Sequence, residues 1–222
     1  MSMEITLGEQ VMLLSLDDTT GAPHLQAQSE YMISSASVLE LAFAARVGME
    51  GDHLVVTDPA PLGIPVLDET LKRIAGQDKR EDAQAWIFRL KKEAVEGARQ
   101  GLLDKGVIRE ERTRRWGIFS ATRYPEADGT VEQEVRRKLA AAVLEGQEPD
   151  ARTAALIVLL HSGGLRKLVF AEADQAAVEK RMAELAEGHW AEPAMKQLVD
   201  SVHVALTAYS ASTAVEVANT GI

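Results

Sequence analysis

The sequence has no cysteine, which excludes disulfide bonds, thiolate metal sites and a cysteine nucleophile. Aromatic residues make up only 5% of the 222 residues. The longest uncharged apolar stretch, AALIVLL at residues 154–160, is far shorter than the roughly 20 residues of a membrane-spanning helix. The first residues, MSMEITLGEQ, are acidic where a secretory signal would be basic. We therefore expect a cytoplasmic protein whose membrane contact, if any, is peripheral.

The sequence also lacks the short motifs of nucleotide and metalloprotease chemistry. It contains no G-x-G-x-x-G, no Walker A segment and no H-E-x-x-H helix. His161 and Ser162 are adjacent, but neighbouring residues on a helix do not face one another, and no G-x-S-x-G context surrounds them. We interpret them as the end of a helix that stops at Gly163-Gly164. The sequence predicts no catalytic residue, no metal site, no cofactor and no enzymatic activity.

The charge is unevenly distributed along the chain. The whole sequence carries 24 basic and 34 acidic side chains, a formal net charge of -10. Residues 1–88 carry 5 basic and 14 acidic side chains, residues 89–123 carry 10 and 5, and residues 124–222 carry 9 and 15. The average charge argues against a surface that binds nucleic acid or anionic lipid all over. The basic central segment is nevertheless a candidate anion-binding face.

Helix start signals recur along the rest of the chain. Thr6 and Glu9 have the spacing of a capping box before the first helix, and residues 78–81 form a second such box. Ser35 or Ser37 is expected to cap the second helix. These signals and the dominant helical periodicity predict a mainly α protein.

One domain is expected over residues 1–210, followed by a flexible tail at residues 211–222. A single β-hairpin is predicted at about residues 107–124. Its turn is expected in the basic ERTRR run, with Trp116, Ile118 and Phe119 on the returning strand. We expect Trp86, Phe88 and Leu90, on the preceding helix, to lie in the core.

A basic, aromatic hairpin has three physically sensible uses. In a peripheral membrane hairpin, the arginines meet anionic head groups while Trp116 and Phe119 settle at the interface. In a winged-helix-like DNA-binding regulator, the preceding helix enters the major groove and the arginines contact the DNA backbone or minor groove. In a structural oligomer, the hairpin packs against a second copy of the chain. The net charge opposes the DNA-binding alternative, so nucleic acid is not an expected partner.

Seven stretches, in order and covering most of the chain, resemble the Golgi phosphoprotein 3 family. They are TLGEQVMLLSLDD (6–18), VLELAFAARV (38–47), VLDETLK (66–72), AWI (85–87), LLDKGVI (102–108), FSATRYP (119–125) and TAALIVLLHSGGL (153–165). The resemblance implies a helical bundle wrapped by amphipathic helices, with a projecting β-hairpin that serves membrane contact and oligomer formation. Golgi members are peripheral membrane proteins that bind phosphatidylinositol 4-phosphate and hold the cytosolic tails of glycosyltransferases. The sequence lacks their long charged N-terminal extension and looks like a prokaryotic relative.

The resemblance also locates the family's phosphoinositide pocket, where this sequence departs from the family. A Trp after the first helix is replaced by Leu25 or, with the register shifted by one residue, by His24, and an Arg before the second helix is replaced by Ser34. Of two basic residues on the helix before the hairpin, one is retained as Lys92 and the other is replaced by Val95. A pocket without its aromatic wall and most of its cations is not expected to select one phosphoinositide.

The leading hypothesis is a non-enzymatic peripheral membrane-binding or adaptor protein that binds anionic phospholipids in general. The residues expected to bind lipid head groups are Lys91, Lys92, Arg99, Arg112, Arg114 and Arg115. Trp116, Ile118 and Phe119 are expected to form the apolar surface of the hairpin that meets the membrane or a second copy. The cytosolic tails of membrane proteins are further expected partners.

Overall fold

The computed structural model describes residues 5–17, 21–22, 24, 26–77, 79–115, 119–127 and 129–220. Helices dominate this part of the chain, which confirms the predicted fold class. In order they are α1 (Leu7–Ser15), α2 (Gln26–Phe43), α3 (Pro65–Ala75), α4 (Ala83–Asp104), α5 (Thr130–Val143), α6 (Ala151–Ser162), α7 (Arg166–Val169), α8 (Gln175–Ala186) and α9 (Pro193–Thr220). Within the described residues, no helix is both long enough and apolar enough to cross a bilayer.

Two small antiparallel sheets accompany the helices. The first consists of β1 (Val47–Glu50), β2 (His53–Val56) and β3 (Glu81–Asp82), and the second is a ribbon of β4 (Glu111–Arg115) and β5 (Phe119–Arg123). The sequence analysis predicted one hairpin and missed the pairing of β1 with β2. Each of these strands has only four residues, which is too short for a clear period-two pattern.

Helix α6 forms the centre of the bundle. It is buried from Thr153 to Leu160 and packs against α1, α2, α5, α8 and α9. Because neighbouring helices surround α6, apolar residues are favoured on every side of it, which explains its continuous apolar sequence. Helix α4 packs against α1, α2, α3 and α9 and contributes Trp86 and Leu90 to the core, as predicted. Phe88 is instead 60% exposed, because a residue two positions from Trp86 and Leu90 lies on the opposite side of a helix.

Helix α2 begins at Gln26, so Ser35 and Ser37 lie inside it rather than at its cap. Their hydroxyl groups donate hydrogen bonds to the carbonyls of Tyr31 at 2.9 Å and Ile33 at 3.2 Å, one turn earlier. Serine satisfied in this way is tolerated within a helix, which explains why the predicted start was wrong.

Helix α4 begins at Ala83 and is capped by Asp82, whose carboxylate accepts a hydrogen bond from the N–H of Ala85 at 2.7 Å. The predicted capping box started at residue 78, which lies outside the described residues, and its Glu81 belongs to β3. The helix ends before Gly106, as predicted, where φ is +67°.

The basic ERTRR run forms strand β4 and not the turn of the hairpin. Glu111 pairs with Arg123 and Arg115 with Phe119, so the connection falls at residues 116–118, outside the described residues. A strand of charged residues lacks the alternation of apolar and polar residues that marks a half-buried strand, so the sequence analysis had assigned it to a turn. Among the described residues, β4 and β5 contact each other far more than they contact any other element. The ribbon therefore projects from the helices.

Helix α9 continues to Thr220, into the segment 211–222 that was expected to be a flexible tail. The segment 211–220 is therefore helical, and residues 221–222 lie outside the described residues. The flexibility of this tail stays a prediction.

Two buried carboxylates fix α1 to its neighbours. Glu9, 2% exposed, accepts hydrogen bonds from the N–H of Thr6 and from the Lys105 ammonium group, each at 2.6 Å, which confirms the predicted capping box. Its side chain lies against Gly101 of α4, where a Cβ atom would come within 2.1 Å of the Glu9 carboxylate. Only glycine permits this approach between α1 and α4.

The second buried carboxylate, Glu40 of α2, is 5% exposed. It accepts two hydrogen bonds from the Arg152 guanidinium group and one from the N–H of Leu7, all at 2.6 Å. A bidentate pair with a third donor compensates the desolvation of the charge. Glu40 thereby joins α1, α2 and α6.

We expect the Glu40→Gln substitution to lower the free energy of unfolding by about 3 kcal/mol, because it leaves the Arg152 charge without its partner. Denaturant unfolding measures the change. Glu50→Gln is the matched control, since Glu50 pairs with Arg80 at 2.6 Å but both side chains are more than half exposed. Its loss is expected to stay below about 1 kcal/mol. Equal losses in the two variants would contradict a special role for Glu40.

Candidate functional site

Helix α4 presents a stripe of side chains opposite its buried face. Phe88, Lys92, Val95 and Arg99 recur at the i, i+4, i+7, i+11 spacing that places residues along one side of a helix. Phe88 and Lys92 are exposed, whereas Val95 and Arg99 are half-buried. We call these four residues the α4 stripe. It brings Lys92 and Arg99, two of the predicted head-group residues, onto one surface.

Lys91 lies beside this stripe, in contact with aromatic rings. Its ammonium nitrogen is 4.1 Å from the ring centroid of Tyr31 on α2 and 4.7 Å from that of Phe88. Tyr31 contacts in turn the ring of Tyr209 on α9, with 3.9 Å between centroids and the two planes tilted by 31°. The sequence analysis named Lys91 as a head-group residue but did not predict its contacts with aromatic rings. Those rings come from three helices, so no spacing in the sequence reveals that they lie together.

Arg99 lies at the end of the stripe next to the hairpin. Its guanidinium carbon is 5.2 Å from the ring centroid of Tyr124, which follows β5, and its charge is paired with Glu96. The N–H of Tyr124 donates a hydrogen bond to the carbonyl of Gly21 at 3.3 Å. Gly21 has a φ of +61°, and a Cβ there would meet the Tyr124–Pro125 backbone at 2.4 Å. The base of the hairpin is thus held against both α4 and the loop after α1.

The hairpin arginines are only partly described. Arg112 is 77% exposed and pairs with Glu110 at 2.8 Å. Arg114, Arg115 and Phe119 have a backbone in β4 or β5, and their side chains lie outside the described part of the structure. Trp116 and Ile118 also fall outside the described residues, so the predicted apolar tip stays a prediction.

Two of the positions that depart from the family's phosphoinositide pocket, Ser34 and Val95, lie in the described part of the structure. Ser34 is fully buried, and its hydroxyl group donates a hydrogen bond to the carbonyl of Ile87 at 2.8 Å. Val95 packs partly against the core. Leu25 lies outside the described residues, and its neighbour His24 is 3.4 Å from Asp17. Ser34 therefore serves the contact between α2 and α4.

A groove of about 650 Å³ runs between α3 and α4, and Lys92 lies at its edge. The charged side chains of its lining are Glu9, Glu69, Lys92, Glu93, Glu96, Asp104 and Lys105. Carboxylates outnumber ammonium groups in this lining, so the groove repels a phosphate-bearing head group.

His161 and Ser162 lie at the C-terminal end of α6, as predicted, but a second histidine contacts the serine. The Ser162 hydroxyl group is 2.7 Å from the Val158 carbonyl, to which it donates, and 2.7 Å from Nδ1 of His203. The tautomer of His203 decides which of the two groups donates in the second contact.

The rings of His161 and His203 are stacked with 6.2 Å between their centroids. Burial lowers the pKa of His161 from its ordinary value of 6.5; the Glu179 carboxylate opposes this, while His203 and Arg166 add to it. The unfolded chain therefore takes up the proton more readily, and the folded state loses stability as the pH falls through about 6.5.

We expect wild type to lose more stability than His161→Gln when the pH falls from about 7.5 to about 5.5. Denaturant midpoints of both proteins at the two pH values measure this difference. His189→Gln, which removes a histidine that is 79% exposed, is the control for the loss of an imidazole. Parallel pH dependence of wild type and His161→Gln would contradict the assignment.

One comparison with known proteins bears on the whole arrangement. The family model described as Golgi phosphoprotein 3 (GPP34) matches residues 7–202, a range that extends from α1 into α9 and includes α4 and the hairpin. This range covers most of the 222 residues. The mainly helical fold and the β-hairpin agree with what the resemblance implies. On this evidence the chain belongs to the Golgi phosphoprotein 3 family.

Proposed function

We propose that the protein is a non-enzymatic peripheral membrane-binding or adaptor protein that engages anionic phospholipid through α4 and the hairpin. The observation that carries the proposal is a projecting ribbon with arginines in its first strand, on a protein whose remaining charge is acidic. Membership of the Golgi phosphoprotein 3 family supports it. An anionic surface attracts the arginines of the ribbon and repels the acidic helical bundle.

The length of the ribbon makes this separation effective. Each strand has five residues, so the ribbon extends roughly 17 Å at about 3.4 Å per residue. The Debye length is about 10 Å at 0.1 M salt. Salt therefore largely screens the repulsion between the acidic groups of the bundle and an anionic surface at the hairpin tip. The attraction of the arginines to that surface is then only weakly opposed.

The ion pairs of the hairpin do not prevent this contact. Arg112 pairs with Glu110 and Arg109 with Glu111, both at 2.8 Å and with largely exposed arginine side chains. Exposed pairs contribute about 0–1 kcal/mol, which is similar to the roughly 1 kcal/mol that a basic residue gains near an anionic membrane. A lipid phosphate can therefore replace the carboxylate at little cost.

The hairpin also suits assembly with a second copy of the chain. A two-stranded ribbon has open edges, and β4 or β5 can pair with the same strand of another molecule. The cytosolic tails of membrane proteins are the further partners that family membership suggests. Light scattering tests assembly, since an unchanged mass after deletion of the hairpin would remove it from the interface.

Reversal of three hairpin charges, Arg112→Glu, Arg114→Glu and Arg115→Glu, is expected to weaken binding to phosphatidylserine-containing vesicles about 100-fold or more. Co-sedimentation at low salt measures the binding, and added salt is expected to weaken that of wild type. The matched control reverses three exposed cations on α5 and α8: Arg137, Lys138 and Lys180. An equal loss in the control, or no binding by wild type, would rule out the hairpin as the contact.

Binding is expected to show little preference between phosphatidylinositol 4-phosphate and phosphatidylserine at matched surface charge. The reason is that Ser34 is fully buried and Val95 is apolar, so neither can bind a head-group phosphate. Co-sedimentation with the two vesicle types measures the ratio. A clear preference for the phosphoinositide would show that another set of residues forms a selective pocket.

A further inference from the structure

The C-terminal end of α6 and the middle of α9 meet at two histidines, which we call the histidine pair. His161 precedes the last residue of α6, and His203 lies within α9. Their rings are parallel to within 3°, with 6.2 Å between the centroids, and both side chains are half-buried. Imidazole is the side chain whose charge changes between pH 8 and pH 5. Two uncharged neighbours therefore become two like charges as the pH falls.

The surroundings of His161 favour its uncharged form. Its Nδ1 atom is buried and has no hydrogen-bond partner among the described residues. A protonated imidazole carries a proton on both ring nitrogens, so this Nδ1 would become a donor without an acceptor. An unsatisfied buried donor costs more on a charged group than on a neutral one. Protonation of His161 therefore works against the packing of its own ring.

Charged groups from the neighbouring helices act on the same ring. Burial lowers the pKa of His161, and the Glu179 carboxylate of α8 opposes this change. His203 and Arg166, the latter on α7, lower the pKa further. Glu179 is itself paired with Arg166, so its charge is already compensated when His161 takes up a proton.

The other described charges on α6 and α9 are also held in ion pairs. Asp200 lies one turn before His203 and accepts from Lys196 at 2.8 Å. Arg152 is paired with Glu40 near the opposite end of α6. From α2, the apolar side chain of Met32 occupies the space beside Gly163, the residue after α6.

Two contacts attach α9 to the same residue of α6. The Ser162 hydroxyl group lies 2.7 Å from Nδ1 of His203, and the Ser210 hydroxyl group donates to the Ser162 carbonyl at 3.0 Å. His203 and Ser210 are about two turns apart on one side of α9. Leu206, 1% exposed, lies between them in the core. A movement of the His203 ring therefore disturbs the attachment of the whole segment 203–210.

The first part of α9 is attached to a different element. The side-chain amide of Gln197 donates to the carbonyl of Gly51, between β1 and β2, at 2.6 Å. Leu198 and Val199 are buried in the core. These contacts do not involve the histidine pair, so the first turns of α9 can stay in place while the later part moves.

We propose that the histidine pair is a pH-sensitive contact that holds the second part of α9, residues 203–220, against α6 and releases it in acid. Uncharged rings allow the attachment through Ser162, whereas two charged rings repel each other. The Tyr209 ring, whose centroid is 3.9 Å from that of Tyr31, then leaves α2 together with the segment. This conformational change is independent of the proposed membrane-binding function.

Hydrogen exchange of the intact protein at about pH 7.5 and about pH 5.5 tests the proposal, with exchange times corrected for the intrinsic rate at each pH. Amides of residues 203–210 are expected to lose about tenfold more protection in acid than those of the buried run 153–160 of α6, because like charges about 6 Å apart repel appreciably at the effective dielectric constant of a protein. Amides of residues 197–200 are expected to change no more than those of α6.

Substitution of either histidine is expected to remove most of this difference. His161→Gln and His203→Gln each leave one ring that can become charged, so the tenfold difference is expected to fall to about twofold or less. His189→Gln removes a histidine that is 79% exposed and is the matched control. It is expected to respond like wild type.

Three results would overturn the proposal. Equal protection of residues 203–210 at the two pH values would show that the segment stays attached. A loss that is uniform over all helices would show a general loss of stability without a local opening. A full response in both histidine variants would assign the opening to another group. The first two results come from wild type alone, so the test does not depend on how the variants fold, and no vesicle enters it.

Discussion

The burial of two carboxylates beside α1 is the constraint from which the rest of the structure follows. A buried charge is tolerated only when donors surround it, and Glu9 and Glu40 take theirs from the start of α1, the end of α4 and α6. The short helix α1 is thereby fixed between α2, α4 and α6. Because Lys105 follows α4 directly, the same contact also fixes the point from which the hairpin leaves the bundle.

This constraint determines which part of α4 can meet a partner. The helix is covered by α1, α2, α3 and α9, and the side left free carries the α4 stripe. Val95 and Arg99 are half-buried, so the stripe becomes more accessible toward Phe88 at one end and is continued by the ribbon at the other. The exposed surface formed in this way follows the helix, and the packing of α4 against its neighbours fixes its orientation relative to the bundle.

Local signals predicted those features that depend on residues close in the sequence. The capping box at Thr6 and Glu9, the end of α4 before Gly106 and the buried run of α6 are of this kind. The start of α2 was mispredicted because Ser35 bonds to a carbonyl inside the helix, which no spacing reveals. The exposure of Phe88 follows from helical geometry, but its contact with Lys91 and Tyr31 depends on how α2 and α4 pack.

A count of charges in the sequence overstates what a partner can use, since it treats all cations alike. In the segment 89–123, Lys105 is committed to the buried Glu9 and cannot leave it without destabilising α1. Arg112 is paired with a carboxylate on the surface, where exchange for another anion costs little. Lys91 and Lys92 have no carboxylate partner in the described structure. Within this segment, an external anion can therefore bind the unpaired and the exchangeable cations without the loss of a buried ion pair.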